Sequence, residues 1–134
     1  MRGKNTLIIM WFTDRELSAI FRMAVVVADA DGNISDEETA LMALELVRFD
    51  TSEEKTHSIM IEALKLSPAD ACVTISKMTS EEKRYVTAYL GTMICADGKI
   101  KDSEMRAWAL TSKICGLPTM SLGDAVEIMK TLKI

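Results

Sequence analysis

The chain has 134 residues, 49% of them hydrophobic, and its 20 acidic and 16 basic residues give a formal net charge of -4. This length suits a single domain over residues 1–134, and the acidic balance with only 5% aromatic residues argues against nucleic acid, which needs clustered cations or stacking rings. The longest apolar runs, 7–12 and 24–30, are far shorter than the ~20 residues that cross a bilayer, so we expect no direct membrane span.

Helix start signals recur along the whole chain. A Ser or Thr precedes a Glu or Asp by three residues at Thr13/Glu16, Ser35/Glu38, Thr51/Glu54, Ser67/Asp70, Thr79/Glu82 and Ser121/Asp124. The pairs with Glu are capping boxes, and the pairs with Asp are weaker relatives. No strand pattern of useful length appears, so the fold class is all-α. The predicted helices lie near residues 14–29, 36–49, 52–66, 68–78, 80–96, 102–115 and 121–132.

The predicted elements differ in polarity. Residues 1–13 form an N-terminal apolar arm containing "LIIMWF", which either packs across the bundle, as we favour, or binds a partner or a second copy of the chain. Residues 20–28 and 85–96 are apolar nearly all round, which predicts two central buried helices. The outer helices show one apolar stripe each, with Leu41, Leu44 and Val47 on one and Met60 and Leu64 on another.

Both central helices run into the same acidic loop. "ADGNISDEE" at 30–38 matches "ADGKIKDSE" at 96–104 with a constant offset of 66 residues, which predicts internal repeats of about 14–79 and 80–132. A 66-residue half rarely supports its own core, so we expect the halves to share one core. A pseudo-twofold axis between them is one way to bring the two loops close together.

The acidic loops predict a weak divalent-metal site rather than EF-hands. With Gly32 or Gly98 at loop position 6, position 1 is Val27 or Met93, so the first carboxylate ligand is missing. Asp31 and Asp97 nevertheless lie at the C-terminal ends of buried helices, where the dipole disfavours a carboxylate unless a cation is near. Oxygen ligands suit Ca²⁺, Mg²⁺ or Mn²⁺, with affinity of roughly 10⁻⁴–10⁻³ M. The predicted metal ligands are Asp31, Glu38, Asp97 and Glu104, with Asp29, Asp36 and Asp102 as helpers.

A purely structural interpretation of the loops has about the same weight. In it Gly32 and Gly98 are left-handed C-caps, Ser35 and Glu38 form a capping box, and Asp102 caps the later helix in place of a hydroxyl. The loops would then be helix connections, and function would lie on an outer surface.

The cysteines and the single histidine carry little chemistry. Cys72, Cys95 and Cys115 are an odd number without Cys-x-x-Cys spacing, so we expect no disulfide framework and no zinc site, only small buried side chains and a cytoplasmic location. His57 follows a polar stretch and is expected at the surface. No nucleophile–base arrangement can be built around it, so we do not expect an enzyme.

Two "ADGxIxxxE" loops, Ala30–Glu38 and Ala96–Glu104, in an all-α chain of this length resemble the tellurite-resistance TerB family and, less closely, the acidic N-terminal domain of the co-chaperone DjlA. The resemblance implies a bundle of about seven helices, a metal site of acidic residues and a role in stress-response or membrane-associated complexes, with no established enzymatic activity. Asp31, Glu38, Asp97 and Glu104 match the motif, whereas Cys95 departs from the acidic Asp29. No J-domain is apparent, which argues against a DjlA-like role.

We therefore expect a non-enzymatic TerB-like module that binds a divalent cation weakly and acts in a stress response. The alternative is an interaction or scaffold module with an unknown protein partner, and a homodimer is compatible with either function.

Overall fold

The computed structural model describes residues 12–30, 32, 34–49, 52–96 and 98–131, and for Val47 the backbone alone. This part of the chain folds into seven α-helices and contains no strand, as the sequence predicts. The helices are α1 (Asp14–Ala28), α2 (Asp36–Arg48), α3 (Glu53–Lys65), α4 (Pro68–Ser76), α5 (Ser80–Ile94), α6 (Asp102–Ile114) and α7 (Leu122–Thr131).

Most helices begin at the predicted caps. Thr13 and Thr79 open α1 and α5 with full capping boxes, in which the hydroxyl accepts an amide hydrogen bond and a Glu accepts one from the cap backbone. Two predictions about caps are wrong. Ser52, not Thr51, caps α3, because its hydroxyl accepts the backbone N–H of Lys55. Asp102 is the first residue of α6 rather than its cap, and the cap residue, Lys101, makes no side-chain capping hydrogen bond.

The predicted central pair is confirmed. Helix α1 packs against α3, α4, α5 and α6, and α5 packs against α1, α6 and α7. Both helices bury most of their side chains, with Phe21 at 1% exposure and Tyr89 at 0%. Their rings meet edge to face at 5.9 Å, a favoured aromatic geometry that joins the two helices at the centre of the core.

The predicted stripes of the outer helices are wrong in part, although Leu41 and Met60 do pack against the core. Leu44 is 62% exposed and Leu64 is 67% exposed, although both were expected in the core. Helix α2 buries Glu38, Met42, Glu45 and Leu46, and α3 buries Ile59 and Ala63. Of its two buried glutamates, Glu38 accepts a hydrogen bond from Ser35 in the capping box of α2 itself, and Glu45 accepts one from Tyr85 of α5.

The helix bounds follow the offset of 66 residues. Helices α5 and α6 begin 66 residues after α1 and α2 (14 + 66 = 80, 36 + 66 = 102) and have the same lengths, 15 and 13 residues. Helix α3 packs on α1 as α7 packs on α5, and α6 reaches across to α1 as α2 reaches across to α5. These correspondences agree with a duplication, which itself stays a prediction.

One prediction about the cysteines is wrong: Cys72 of α4 and Cys115, directly after α6, form a disulfide. Their Cα atoms are 5.0 Å apart, within the usual range for a disulfide. Spacing in the sequence could not show this pair, because only the packing of the helices brings positions 43 residues apart together. Cys95 is free and half-buried. Disulfides persist mainly in oxidising compartments, so cysteine content no longer supports the cytoplasmic prediction.

Candidate functional site

The first acidic loop links α1 to α2 through two ordered turns. Asp29 is the C-cap of α1, and its carbonyl accepts the N–H of Gly32 at 2.9 Å. Gly32 has a φ of +82°, so it is left-handed as predicted, but it closes this turn three residues beyond the C-cap position. Glu38 accepts the N–H of Ser35 at 2.8 Å and donates its own N–H to the Ser35 hydroxyl at 3.1 Å. The predicted capping box is therefore present, and Glu38 is 1% exposed.

The second loop has the same glycine turn as the first but no capping box at the start of the following helix. Gly98 has a φ of +80° and donates its N–H to the carbonyl of Cys95 at 3.0 Å. Glu104, which matches Glu38, is likewise 1% exposed. No hydroxyl stands at the cap of α6, so Glu104 is buried without a capping box. Glu38 and Glu104 are thus both buried, but only Glu38 takes part in a capping box.

Among the residues that the structure describes, the predicted ligands are not gathered into a site. Asp31 and Asp97 lie outside the described residues, while Asp29, Asp36 and Asp102 are exposed. Within the described ranges, no three His, Cys, Asp or Glu side chains come close enough to hold a metal ion. Glu38 and Glu104 are the two predicted ligands that the fold buries. The seven-residue metal site therefore stays a prediction.

Sequence reasoning missed a buried polar cluster beside the central helices. Glu45 of α2 is 2% exposed and accepts a short hydrogen bond from the Tyr85 hydroxyl of α5. Arg48 lies 3.6 Å from the same carboxylate. Burial raises the pKa of the Glu45 carboxyl, and the Tyr85 bond and the Arg48 charge offset part of that rise. Burial and the nearby Glu45 raise the pKa of Tyr85 and Tyr89 well above the usual value for a phenol.

This cluster is built into the core rather than open to a substrate. The Tyr85 ring stacks on Tyr89 at 6.1 Å and lies 5.6 Å from Phe12, and Phe49 closes the group at 5.8 Å from Tyr85. Three aromatic rings therefore pack around Tyr85, and the Glu45 that it contacts is 2% exposed. We assign the cluster a structural role, which is to fix α2 against α5.

An apolar groove lies between α1, α4 and α6. Met23 and Val26 of α1 contribute to its lining, and its volume is about 490 Å³. Its lining also includes three large aliphatic side chains that are mostly exposed, Val73 (52%), Leu110 (59%) and Ile114 (63%). None of the lining residues is charged, and the remaining ones are Pro68, Ala69, Cys72, Ser76 and Thr111. We call this surface the apolar groove.

The disulfide is part of the same groove. Cys72 lines the wall formed by α4, and its partner Cys115 directly follows Ile114 at the end of α6. The disulfide therefore links the α4 wall of the groove covalently to the end of the α6 wall. A second concave surface of about 600 Å³, which includes Met105, Trp108 and Lys113, also lies along α6. It carries a charged residue and none of the strongly exposed aliphatics, so it is less suited to an apolar ligand.

Comparison with known proteins gives a relative but no function. The crystal structure of PG1108, a protein of unknown function from Porphyromonas gingivalis W83, matches the chain with a TM-score of 0.82 and 37% sequence identity, over 91% of this chain and 92% of that one. The two proteins belong to one family. Its shared all-α fold agrees with the fold described above.

No family model and no curated protein matches the sequence. The resemblance to the TerB family accordingly stays a prediction. In the described part of the chain, no helix combines the length and the apolar character needed to cross a membrane.

Proposed function

We propose that the chain is a non-enzymatic protein-binding module that receives apolar side chains of a protein partner in the apolar groove. The observation that carries this proposal is the exposure of Val73, Leu110 and Ile114 around one uncharged concavity. Exposed aliphatics that cluster at a groove are typical of interaction sites, whereas scattered ones need no explanation. Leu44 and Leu64, on other helices and absent from this lining, are examples of scattered ones.

The chemistry of the groove narrows the class of ligand. Pockets for polar small molecules combine an apolar lining with a few well-placed polar groups. Here the polar side chains are Ser76 and Thr111, and the Ser76 hydroxyl already donates to the carbonyl of Val73 at 2.7 Å. Phosphates and other anions therefore find no cation in the lining, while aliphatic or aromatic side chains of a peptide find complementary surface.

The supporting experiment is a peptide-display selection against the full chain. We expect selected peptides rich in aliphatic and aromatic residues, whose affinity falls by at least about tenfold in Leu110→Asp. Leu64→Asp is the matched control, because Leu64 is a similarly exposed leucine (67%, against 59% for Leu110) on α3 outside the groove. Peptides that bind both variants equally well, or a selection without apolar binders, would contradict the proposal.

Weak binding of a divalent cation by the acidic loops is the second candidate function. The observation that favours it is the burial of Glu38 and Glu104 at matched positions of α2 and α6, both at 1% exposure. Asp31 and Asp97 would complete the ligand set with Ca²⁺, Mg²⁺ or Mn²⁺. A role in a tellurite-resistance-like stress response rests on the TerB resemblance alone.

Thermal unfolding tests the cation proposal directly. Millimolar Ca²⁺, Mn²⁺ or Mg²⁺ should raise the melting temperature of the wild type, because a ligand that binds only the folded state stabilises it. The rise should disappear in the Asp31→Ala, Asp97→Ala double variant and persist in Glu53→Ala, an exposed acidic residue of α3. An unchanged melting curve in all three ions would leave the loops as helix connections.

A further inference from the structure

The apolar groove has a candidate occupant within the sequence itself. Residues 7–12, "LIIMWF", are a continuous apolar run that immediately precedes α1. Phe12, its last residue, belongs to the described part of the chain, and its ring lies 5.5 Å from Phe49 and 5.6 Å from Tyr85. The point at which the run joins the bundle is therefore fixed near the start of α1.

The geometry of α1 shows that this point is far from the groove. Met23 and Val26, which line the groove, come nine and twelve residues after Asp14, the first residue of α1. At about 1.5 Å per helical residue they lie roughly 14 Å and 18 Å along the axis from it. Phe12 also packs toward α2 and α5, whereas the outer walls of the groove are α4 and α6.

Residues 7–11 are too short a segment to lie along the groove of their own chain. Five residues span at most about 18 Å when fully extended. Residues 7–11 of the same chain would therefore bring at most Leu7 to the near end of the groove and could not lie along it. The same segment of a second molecule is not attached to this α1, so its reach is not limited in this way.

We propose that the apolar groove binds residues 7–11 of a second copy of the chain. Exchange of the two arms is reciprocal, so the pair forms a closed twofold dimer with two identical arm–groove contacts. The groove volume of about 490 Å³ and its uncharged lining suit the aliphatic and aromatic side chains of this segment. The inference rests on the proposed function, since it names the occupant of that same groove. The side chains offered are Leu7, Ile8, Ile9, Met10 and Trp11.

Sedimentation equilibrium of the full chain tests the proposal. We expect a dimer whose dissociation constant rises at least about tenfold in Leu110→Asp, which alters the groove, and in Ile9→Asp, which alters the arm. Leu64→Asp should dimerise like the wild type. Both groove and arm variants should keep the far-ultraviolet circular dichroism of the wild type, because Leu110 is exposed and Ile9 precedes the bundle.

Mixing the two variants gives the sharpest result. Leu110→Asp keeps an intact arm and Ile9→Asp keeps an intact groove, so together they can form one of the two contacts. The mixture should therefore contain more dimer than either variant alone at equal total concentration. A monomeric wild type, or a dimer unaffected by both substitutions, would overturn the arm exchange. If display-selected peptides still bind the groove of that protein, the proposed function stands while this inference fails.

Discussion

At the scale of single residues, the Glu45 carboxylate shows how a buried charge can be accommodated. Desolvation opposes its ionisation, and the Tyr85 hydroxyl and the Arg48 charge favour it. If one partner of a buried hydrogen bond is removed, the other is left buried without a partner, which costs about 1–3 kcal/mol of stability. The two stacked tyrosines differ in this respect, because the hydroxyl of Tyr89 has no hydrogen-bond partner among the described residues.

Tyr85→Phe and Tyr89→Phe should therefore have different effects on stability. Tyr85→Phe removes the hydrogen bond to Glu45, and we expect the free energy of unfolding to fall by about 1–3 kcal/mol. Tyr89→Phe removes a buried hydroxyl that makes no such bond, so we expect little change or a small gain. Urea unfolding at pH 7 measures both. Equal losses of unfolding free energy in the two variants would mean that the hydrogen bond between Tyr85 and Glu45 does not stabilise the fold.

The raised pKa of Glu45 predicts a pH dependence with a defined sign. Between its unfolded pKa, near the ordinary glutamate value of 4.5, and its higher folded pKa, the folded state binds more protons than the unfolded state. The contribution of Glu45 to stability is therefore fully present below pH 4.5 and is lost as the pH rises through the folded pKa. We expect the stability difference between wild type and Glu45→Gln to shift against the wild type as the pH rises from 4 to 8.

Urea unfolding at several pH values measures this difference, in which the titration of the other carboxylates cancels. A difference that stays constant, or that moves in favour of the wild type, would contradict the raised pKa. Nothing in the sequence identified Glu45, because a glutamate between Leu44 and Leu46 looks like a solvent-facing position. Its burial depends on Tyr85, which lies 40 residues away.

At the scale of elements, the sequence predicts what local chemistry determines. The capping boxes at Thr13 and Thr79 act within one turn, so the starts of α1 and α5 could be predicted to the residue. The buried face of α2 depends instead on which neighbour it meets. The apolar pattern of the sequence therefore predicted that Leu44 is buried, whereas the fold exposes Leu44 and buries Glu38 and Glu45.

Gly91 fixes how closely the helices of the second half approach one another. A Cβ atom at this position of α5 would lie 2.5 Å from Cζ2 of Trp108 and 3.0 Å from the Cβ of Ala125. We expect Gly91→Ala to lower the free energy of unfolding by about 1–3 kcal/mol, because overpacking outweighs the gain in helix propensity.

Gly123→Ala is the matched control. Its Cβ would meet nothing closer than the Ser121 hydroxyl at 3.8 Å, so α7 should gain up to about 1 kcal/mol. Thermal unfolding of the two variants should thus shift in opposite directions. A Gly91→Ala protein as stable as Gly123→Ala would show that α6 and α7 are free to move away from α5.

At the scale of the whole molecule, the Cys72–Cys115 disulfide connects the fold to the apolar groove. It joins positions 43 residues apart, and the chain-entropy model assigns such a loop about 4 kcal/mol of stabilisation. The Cys72→Ala, Cys115→Ala double variant should lose stability of this order. Dithiothreitol should lower the wild type toward the same value and leave the double variant unchanged. Cys95→Ala, which removes the free cysteine, should respond to the reductant like the wild type.

The same reduction should also weaken ligand binding, because the disulfide holds the α4 wall against the end of α6. A groove-binding peptide should therefore bind reduced protein more weakly than oxidised protein, at a temperature where both remain folded. Alkylation with iodoacetamide in denaturant under non-reducing conditions, where every free thiol is accessible, gives the decisive check. One modified cysteine per chain, Cys95, agrees with the bond, whereas three modified cysteines would show that the walls of the groove are held by packing alone.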